Sequence, residues 1–292
     1  MTNNITIAPY AGAKNRSAKA YIGLIPYNRI NVYAEPFSGS FGVGLKKAPH
    51  PIEIYNDLNP KLALLLKTLG NQETAYKLLD MLSTVEYSEQ FFDYAKEASN
   101  FFKIYNGCTF DNRNDDVFIS CLVYSTLLMS FNGQMETFKG IRTGHEEDMF
   151  YKQIKKKFAV IERLKNVHII NADGIELIKT FKEYREAFLF TDPPYTLKNA
   201  SSDNDRSDIY EFEILNDELQ QKFLDSLKDC KAKVLICSYR NELYDNTLCS
   251  EYGFKRIDVA EVPKTMSIGQ KGHKKPRAVE VAYVNYDIRE CR

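Results

Sequence analysis

Short apolar runs alternate along the 292-residue chain with segments whose apolar positions recur every three or four residues. The runs at 30–35 (INVYAE), 52–56 (IEIYN), 167–171 (VHIIN), 187–191 (AFLFT), 233–237 (KVLIC), 254–262 (FKRIDVAEV) and 279–286 (VEVAYVNY) predict strands. Several are β-branched or aromatic almost throughout, as strands buried on both faces of a parallel sheet are. Helical patterns lie between most of them, at 18–24, 174–181 and 217–228. Another helix starts at Asn59-Pro60, where an Asn caps and a Pro opens the first turn ahead of KLALLLKTL. This alternation predicts an α/β fold with a doubly wound, mostly parallel sheet. The last two strands are joined through 263–277 without a helix, so a terminal antiparallel hairpin is expected.

One stretch breaks the alternation. Roughly a hundred residues separate the second strand from Val167, where a plain crossover needs only about a dozen. They read as helices: TAYKLLDMLST, SEQFFDYAKEASNFFKIYN, DDVFISCLVYSTLLMSF and MFYKQIKKKFAVIERL. The expected organisation is a sheet domain in two parts, 1–68 and 164–292, with a helical subdomain inserted at 69–163. Such an insertion either caps the sheet or carries recognition, and its size favours recognition.

Composition narrows the class. Hydrophobic residues are 44% and charged residues 27% of the chain, which suits a buried core. No apolar run approaches the roughly 20 residues of a membrane helix, and the N-terminus lacks the apolar stretch of a secretory signal. Lys plus Arg and Asp plus Glu are 39 each, so any nucleic-acid surface must be a local patch. None of the six cysteines forms a C-x-x-C pair, which argues against a zinc or redox motif and suits a reducing cytoplasm. No metal is expected.

Four signals carry chemistry. Glu35-Pro36-Phe37-Ser38-Gly39-Ser40-Phe41-Gly42-Val43-Gly44 follows the first strand, and small residues there allow close backbone approach to a ligand. The spacing is neither the dinucleotide fingerprint nor a phosphate loop, and a structural turn explains it equally well when taken alone. Asp57, at the second strand tip, is placed either to accept from ribose hydroxyls or to cap the Asn59-Pro60 helix. Asp173 follows the third strand and could cap the helix that starts at Gly174. Asp192-Pro193-Pro194-Tyr195 closes the AFLFT strand. Its prolines fix the backbone and remove two N–H donors, which leaves the Asp192 carboxylate, main-chain carbonyls and a flat ring. That set suits an exocyclic amino group on a planar base.

The ordered motifs resemble the D12-class, Dam-like DNA adenine-N6 methyltransferases. Pro9-Tyr10-Ala11-Gly12-Ala13-Lys14 is similar to the family's N-terminal P-Y-x-G-x-K element, and Pro36–Gly42 to its P-F-x-G-x-G type loop. Asp57-Leu58-Asn59-Pro60 resembles its D-x-N-P element, and Asp192-Pro193-Pro194-Tyr195 its D-P-P-Y tetrapeptide. The segment 234–244 and the E-x-x-x-x-N-Y strand at 280–286 continue the likeness. The resemblance implies a seven-stranded methyltransferase sheet that uses S-adenosyl-L-methionine and releases S-adenosyl-L-homocysteine. By position, Tyr10 and Lys14 would meet the cofactor, Lys14 holding its carboxylate. Phe37, Ser38, Gly39, Ser40, Phe41 and Gly42 would take its methionine part. Asp57 with Leu58 would bind the ribose, and Asp173 with Gly174 the adenine edge. Gly174 stands where many relatives carry an aromatic residue. Without the motif, Lys14 reads as a solvated surface charge.

The implied activity is methyl transfer to adenine N6 of a flipped-out base in double-stranded DNA. Asp at 192, rather than Asn, favours adenine. Competing readings keep the fold and change the acceptor, to cytosine N4, RNA or a protein amide, or make the chain a catalytically idle DNA-binding module. The helical insertion falls where the family keeps target recognition. Ser130-Phe131-Asn132-Gly133 resembles a motif found there, whereas QMETFKGIRTG departs from the elements of GATC-methylating relatives. Asn132, Gly133, Lys139 and Arg142 are candidate DNA contacts, the last two alternatively polar turn residues. Lys271, Lys274 and Lys275 in the final hairpin form a second candidate surface, and a basic run from Lys152 to Lys165 a third or merely a solvated face. The family implies a cytoplasmic, DNA-associated monomer or weak dimer of bacterial or phage origin. A cognate restriction endonuclease is a candidate partner.

Overall fold

The structure is a computed structural model that describes residues 5–10, 12–14, 17–102, 104–105, 108–109, 113–141, 144–155, 157–193, 217–263 and 277–291. In chain order the elements begin α1 (Ala18–Ile22), β1 (Val32–Glu35), β2 (Ile52–Asn56), α2 (Pro60–Gly70), α3 (Gln72–Ser83) and α4 (Glu89–Phe101). They continue with β3 (Ile104–Tyr105), β4 (Cys108–Thr109), α5 (Arg113–Met129), α6 (Glu146–Lys155), α7 (Phe158–Leu164), β5 (Val167–Ile170) and α8 (Gly174–Phe181). The last are β6 (Ala187–Thr191), α9 (Asp217–Leu227), β7 (Lys233–Tyr239), β8 (Lys255–Pro263) and β9 (Arg277–Val284).

The fold is mixed α/β with a seven-stranded sheet in the order β5-β2-β1-β6-β7-β9-β8. It is parallel except at its end, where β9 runs antiparallel to both β7 and β8. The seven expected strands are all present, with ends shifted by up to two residues at each side. The chain divides into two compact units.

The first unit comprises Met1–Asn15 and Ser38–Asp173. Its β2 and β5 pair in parallel, Asn56 opposite Ile170. The capping expectation at Asn59 is met: its side chain accepts from the N–H groups of Lys61 and Leu62, and Asn71 does the same for α3. Each such cap is worth on the order of 1 kcal/mol. The apolar Leu62–Leu66 face of α2 is fully buried. Two helical expectations change. The pattern at 88–106 ends as helix at Phe101, and Ile104–Tyr105 instead pairs with Cys108–Thr109. The pattern ending at Leu164 is two helices, and the break falls at Lys157. That lysine is 1% exposed and donates to the Thr6 carbonyl at 2.9 Å. The Arg163 side chain is only 11% exposed, so the basic run from Lys152 to Lys165 is not one solvated face.

The second unit comprises Arg16–Phe37 and Gly174–Arg292. Its β6 is buried at every position, and the Tyr33 and Phe188 rings stack across β1 and β6 at 5.9 Å. The E-x-x-x-x-N-Y strand has a packing logic. Glu280 accepts from the Tyr21 hydroxyl at 3.4 Å. Asn285 accepts from Val234 N–H and donates to the Cys230 and Ala232 carbonyls, and the Tyr286 hydroxyl reaches the Leu24 carbonyl at 2.6 Å. These bonds pin the start of β7 and thereby the antiparallel edge.

Candidate active site

In the first unit the turn after Phe37 is tied to the end of β2. Ser38 N–H donates to the Asn56 carbonyl at 2.9 Å, and Asn56 N–H donates to Ser38 Oγ at 3.1 Å. Gly39 N–H donates to Asp57 Oδ2 at 2.7 Å, and the Tyr55 hydroxyl donates to the Gly39 carbonyl at 3.0 Å. Gly39 has φ +49, and a Cβ there would stand 3.1 Å from the Tyr10 ring. Phe41 is fully buried at φ +56, against the Tyr55 ring at 5.6 Å. A non-glycine residue in the left-handed region costs on the order of 1–2 kcal/mol, so surrounding contacts must hold it there.

Asp57 ties the helix start to the glycine turn. Its Oδ1 accepts from Asn59 N–H at 2.9 Å, which is the capping reading, while Oδ2 fixes Gly39. Burial raises its pKa above the ordinary carboxylate value, and the N–H donors of Asn59 and Gly39 oppose that rise. A carboxylate with lone pairs left over and a cost for being charged gains from a further hydroxyl donor.

Asp57-Leu58 and Asp173 are brought to one strand end by residues the sequence reading passed over. Asn56 exchanges bonds with Ala172, Nδ2 to the carbonyl at 3.0 Å and Oδ1 from the N–H at 3.0 Å. Asn171 Nδ2 donates to the carbonyls of Asp57 and Leu58. The only sequence signal was an Asn closing each of the strands IEIYN and VHIIN.

Lys14 is 7% exposed, its Nζ donating to the Gly12 carbonyl at 3.3 Å, so the solvated-charge reading falls. Pro9 and Tyr10 are seated by Gly133, whose φ is +69 and where a Cβ would fall far inside contact of the Pro9 carbonyl. Gly133 therefore works by close approach to Pro9 and Tyr10. In the same unit, Lys139 is half-buried and donates its N–H to the Met129 carbonyl at 2.8 Å. The side chain of Asn132 lies outside the described residues, as do Arg142, Lys271, Lys274 and Lys275.

In the second unit β1 and β6 pair in parallel, Ala34 opposite Leu189. Both chains therefore leave the sheet on the same edge, at Pro36-Phe37 and at Asp192-Pro193. The strand order reverses there, the place where open α/β sheets bind ligands. Gly174 sits against Phe37. A Cβ at 174 would lie 2.5 Å from the Phe37 ring and 2.7 Å from the Pro36 carbonyl, so the ring takes the space a side chain would need. Asp192 is half-buried and Pro193 buried. The Asp192 charge and burial both raise the pKa of Tyr244, burial more, and the Tyr244 hydroxyl donates to Gln220 Oε1 at 2.6 Å. Pro194 and Tyr195 lie outside the described residues.

The residues present fit a nucleoside-bearing amino-acid cofactor. Among the described residues, the buried Ser40 Oγ has no hydrogen-bond partner, an unmet polar group within the Gly39–Gly42 turn. Such a group is costly unless a ligand satisfies it. A glycine turn after the first strand, an acid after the second and a D-P-P run after β6 define an α/β enzyme of the nucleoside-cofactor class. Across residues 10–265 the sequence matches the family of D12 class N6 adenine-specific DNA methyltransferases, and the chain belongs to it. It is a methyltransferase that acts on adenine in DNA, and membership implies S-adenosylmethionine as methyl donor. No curated protein matches the chain. Among the described residues, no group of acidic, His or Cys side chains could hold a metal, and no helix is long and apolar enough to cross a membrane.

Proposed function

We propose that the chain methylates N6 of an adenine flipped out of double-stranded DNA, with Asp192-Pro193-Pro194-Tyr195 as the catalytic segment. The observation that carries this is the shared edge of β1 and β6, from which Phe37 and Asp192-Pro193 both emerge at the reversal of strand order. Lys14 and Tyr10, the Phe37–Gly42 turn, Asp57 with Leu58, and Asp173 with Gly174 would hold S-adenosylmethionine. When bound, that cofactor supplies a methyl group on a sulfonium centre.

Adenine N6 is a poor nucleophile because its lone pair is delocalised into the ring. The base must also leave the stack to be reached, and Tyr195 offers a face on which it can rest. Asp192 and the Pro193 carbonyl accept the two N6–H bonds, which draws the nitrogen toward tetrahedral geometry and frees its lone pair. As the nitrogen gains positive charge, the Asp192 carboxylate is favoured more in the transition state than in the ground state. Held geometry does the rest, with no covalent intermediate, and the proton that N6 sheds on gaining the methyl leaves along one of the two hydrogen bonds that hold it.

Residues 69–163 form the target-recognition part in this reading, with Lys139 and Arg142 on the DNA and the 271–275 lysines as a second phosphate contact. The enzyme would work in the cytoplasm, alone or beside a cognate restriction endonuclease. Tritium transfer from labelled S-adenosylmethionine, offered DNA, RNA and protein, tests the substrate. Single-turnover assays should find Asp192→Ala slower by on the order of 10² or more with cofactor affinity much less changed. Near wild-type methylation by that variant would sink the mechanism.

A further inference from the structure

The far end of the cofactor turn is held by four ionisable side chains in the interior of the first unit. Arg163 on α7 donates through Nη2 to the Gly44 carbonyl at 2.6 Å and to Glu53 Oε1 at 2.8 Å, and through Nη1 to Glu53 Oε2. Glu53 on β2 is 2% exposed, and it also takes the Lys47 ammonium and the His50 N–H. Lys47 Nζ in turn meets His50 Nδ1 at 2.8 Å and the Ala48 carbonyl at 3.0 Å. Burial pushes the Glu53 carboxyl up, but Arg163 and Lys47 outweigh it and hold it below its ordinary value. Burial and the Lys47 charge keep the His50 imidazole down at about 4, so it is neutral at physiological pH.

The turn between these ties has bonds of its own, from Phe41 N–H to the Ser38 carbonyl at 2.8 Å and from Leu45 N–H to the Phe41 carbonyl at 3.0 Å, yet it carries strain. Phe41 sits in the left-handed region, and Gly44 lies so close to the Phe41 ring that a Cβ has no room. The Ser38–Gly39 end is fastened to Tyr55, Asn56 and Asp57. The Gly44 end is fastened by Arg163, and Arg163 is itself fastened to Glu53. Both fastenings therefore run to one strand, β2, three residues apart at Glu53 and Asn56. A guanidinium can serve a carbonyl and both oxygens of a carboxylate at once, which an ammonium cannot do in the same geometry.

We propose that Arg163 and Glu53 are positioning residues for S-adenosylmethionine: their fork fixes the Gly44 end of the turn against β2 and so sets the groups that Ser38, Gly39 and Ser40 offer the cofactor. The proposal rests on the reading of 36–44 as the cofactor turn. Neither residue touches the reacting atoms in it. Removing the Arg163 and Glu53 charges together also leaves the buried Lys47 ammonium without its carboxylate, so stability is read beside every binding measurement.

The test uses the full chain in three variants: Arg163→Met with Glu53→Gln, Arg163→Lys, and Asp57→Ala. Calorimetry with S-adenosylmethionine and steady-state kinetics are read beside thermal melting. In the double variant the dissociation constant and KM for the cofactor should rise about tenfold, with kcat and KM for DNA within about twofold, the pattern of lost uniform binding. Arg163→Lys should fall between the double variant and wild type. If the double variant melts like wild type and binds the cofactor unchanged while Asp57→Ala binds it weakly, the positioning role is overturned and the turn reading stands. If Asp57→Ala also binds unchanged, the turn reading fails and takes the proposal with it. Should the double variant not fold, Arg163→Lys decides, since unchanged cofactor affinity there overturns the proposal and weakened affinity supports it.

Discussion

Two pairs of glycines in the first unit differ in what surrounds them. Gly44 has no space for a side chain against the Phe41 ring, and Gly39, at φ +49, would bring a Cβ to 3.1 Å from the Tyr10 ring. At Gly140 and Gly144 φ is +76 and +75, and nothing stands within 4 Å of where a Cβ would be. There the glycines serve the hand of the backbone alone. Ile141 between them is 62% exposed, whereas Phe41 is fully buried. A tightly packed turn, if it is the cofactor turn proposed above, lowers the ordering cost of binding a small cofactor.

The comparison breaks most easily at Gly44. Gly44→Ala puts a methyl into the Phe41 ring, and overpacking of that kind costs about 1–3 kcal/mol. A lower unfolding midpoint in denaturant, with an unchanged slope, is expected. A variant as stable as wild type would show that this turn yields, and the contrast with Gly140 and Gly144 would be lost.

Asp57 sharpens the same side. Asp57→Ala should weaken S-adenosylmethionine binding by about 1.5–3 kcal/mol, the scale of a hydrogen bond to a charged group. The pH dependence carries a sign. Burial raises the Asp57 pKa, so in the free protein its charged form is disfavoured, and that cost is relieved as the pH falls. A ribose hydroxyl bonds the charged form better, so cofactor affinity should fall as the pH drops from 7.5 toward the raised value. His50, held at about 4, stays neutral over that window and Glu53, held low, stays charged. Calorimetry should find a falling affinity in wild type and a flatter curve in Asp57→Ala. Equal slopes would take Asp57 out of the site.

The open glycine positions should respond weakly. Gly140→Ala keeps its space but loses conformational freedom, so a stability loss of about 1 kcal/mol is expected with cofactor affinity intact. A loss as large as that at Gly44 would mean that the two positions are equally constrained. Lys139→Ala should leave stability unchanged and flatten the salt dependence of DNA binding by about 0.9 in log–log slope if one phosphate contact is lost. Fluorescence anisotropy across a salt series reads this directly, and an unchanged slope removes Lys139 from the DNA surface.

Strands were the most legible elements. The AFLFT run is β6 to the residue, because an apolar stretch closed by Asp-Pro-Pro leaves little freedom for either boundary. The Asn59-Pro60 helix start was equally plain, since capping is local chemistry. Helix ends inside 69–163 were less so. Lys157 reads as one more solvated charge in KKK, and it is met inside by the Thr6 carbonyl, some 150 positions away. The same holds for Arg163, whose partners Gly44 and Glu53 are distant in the chain.

By itself, then, the chain's pattern determined the alternation of strand and helix, the antiparallel hairpin at the end and the four places where chemistry-bearing residues leave strands. Each of these depends on periodicity, proline or a cap within a few residues, interactions that a sequence states outright. The tertiary structure alone decided which polar side chains are interior. It made Gly133 the seat for Pro9, filled the space beside Gly174 with the Phe37 ring, left Ser40 Oγ buried without a partner among the described residues, and joined Arg163 to the turn through Glu53. The physical reason is that burial is a property of what packs alongside. A lysine, an arginine or a glycine carries no mark in its own neighbourhood of the chain that says whether water or a distant carbonyl will meet it.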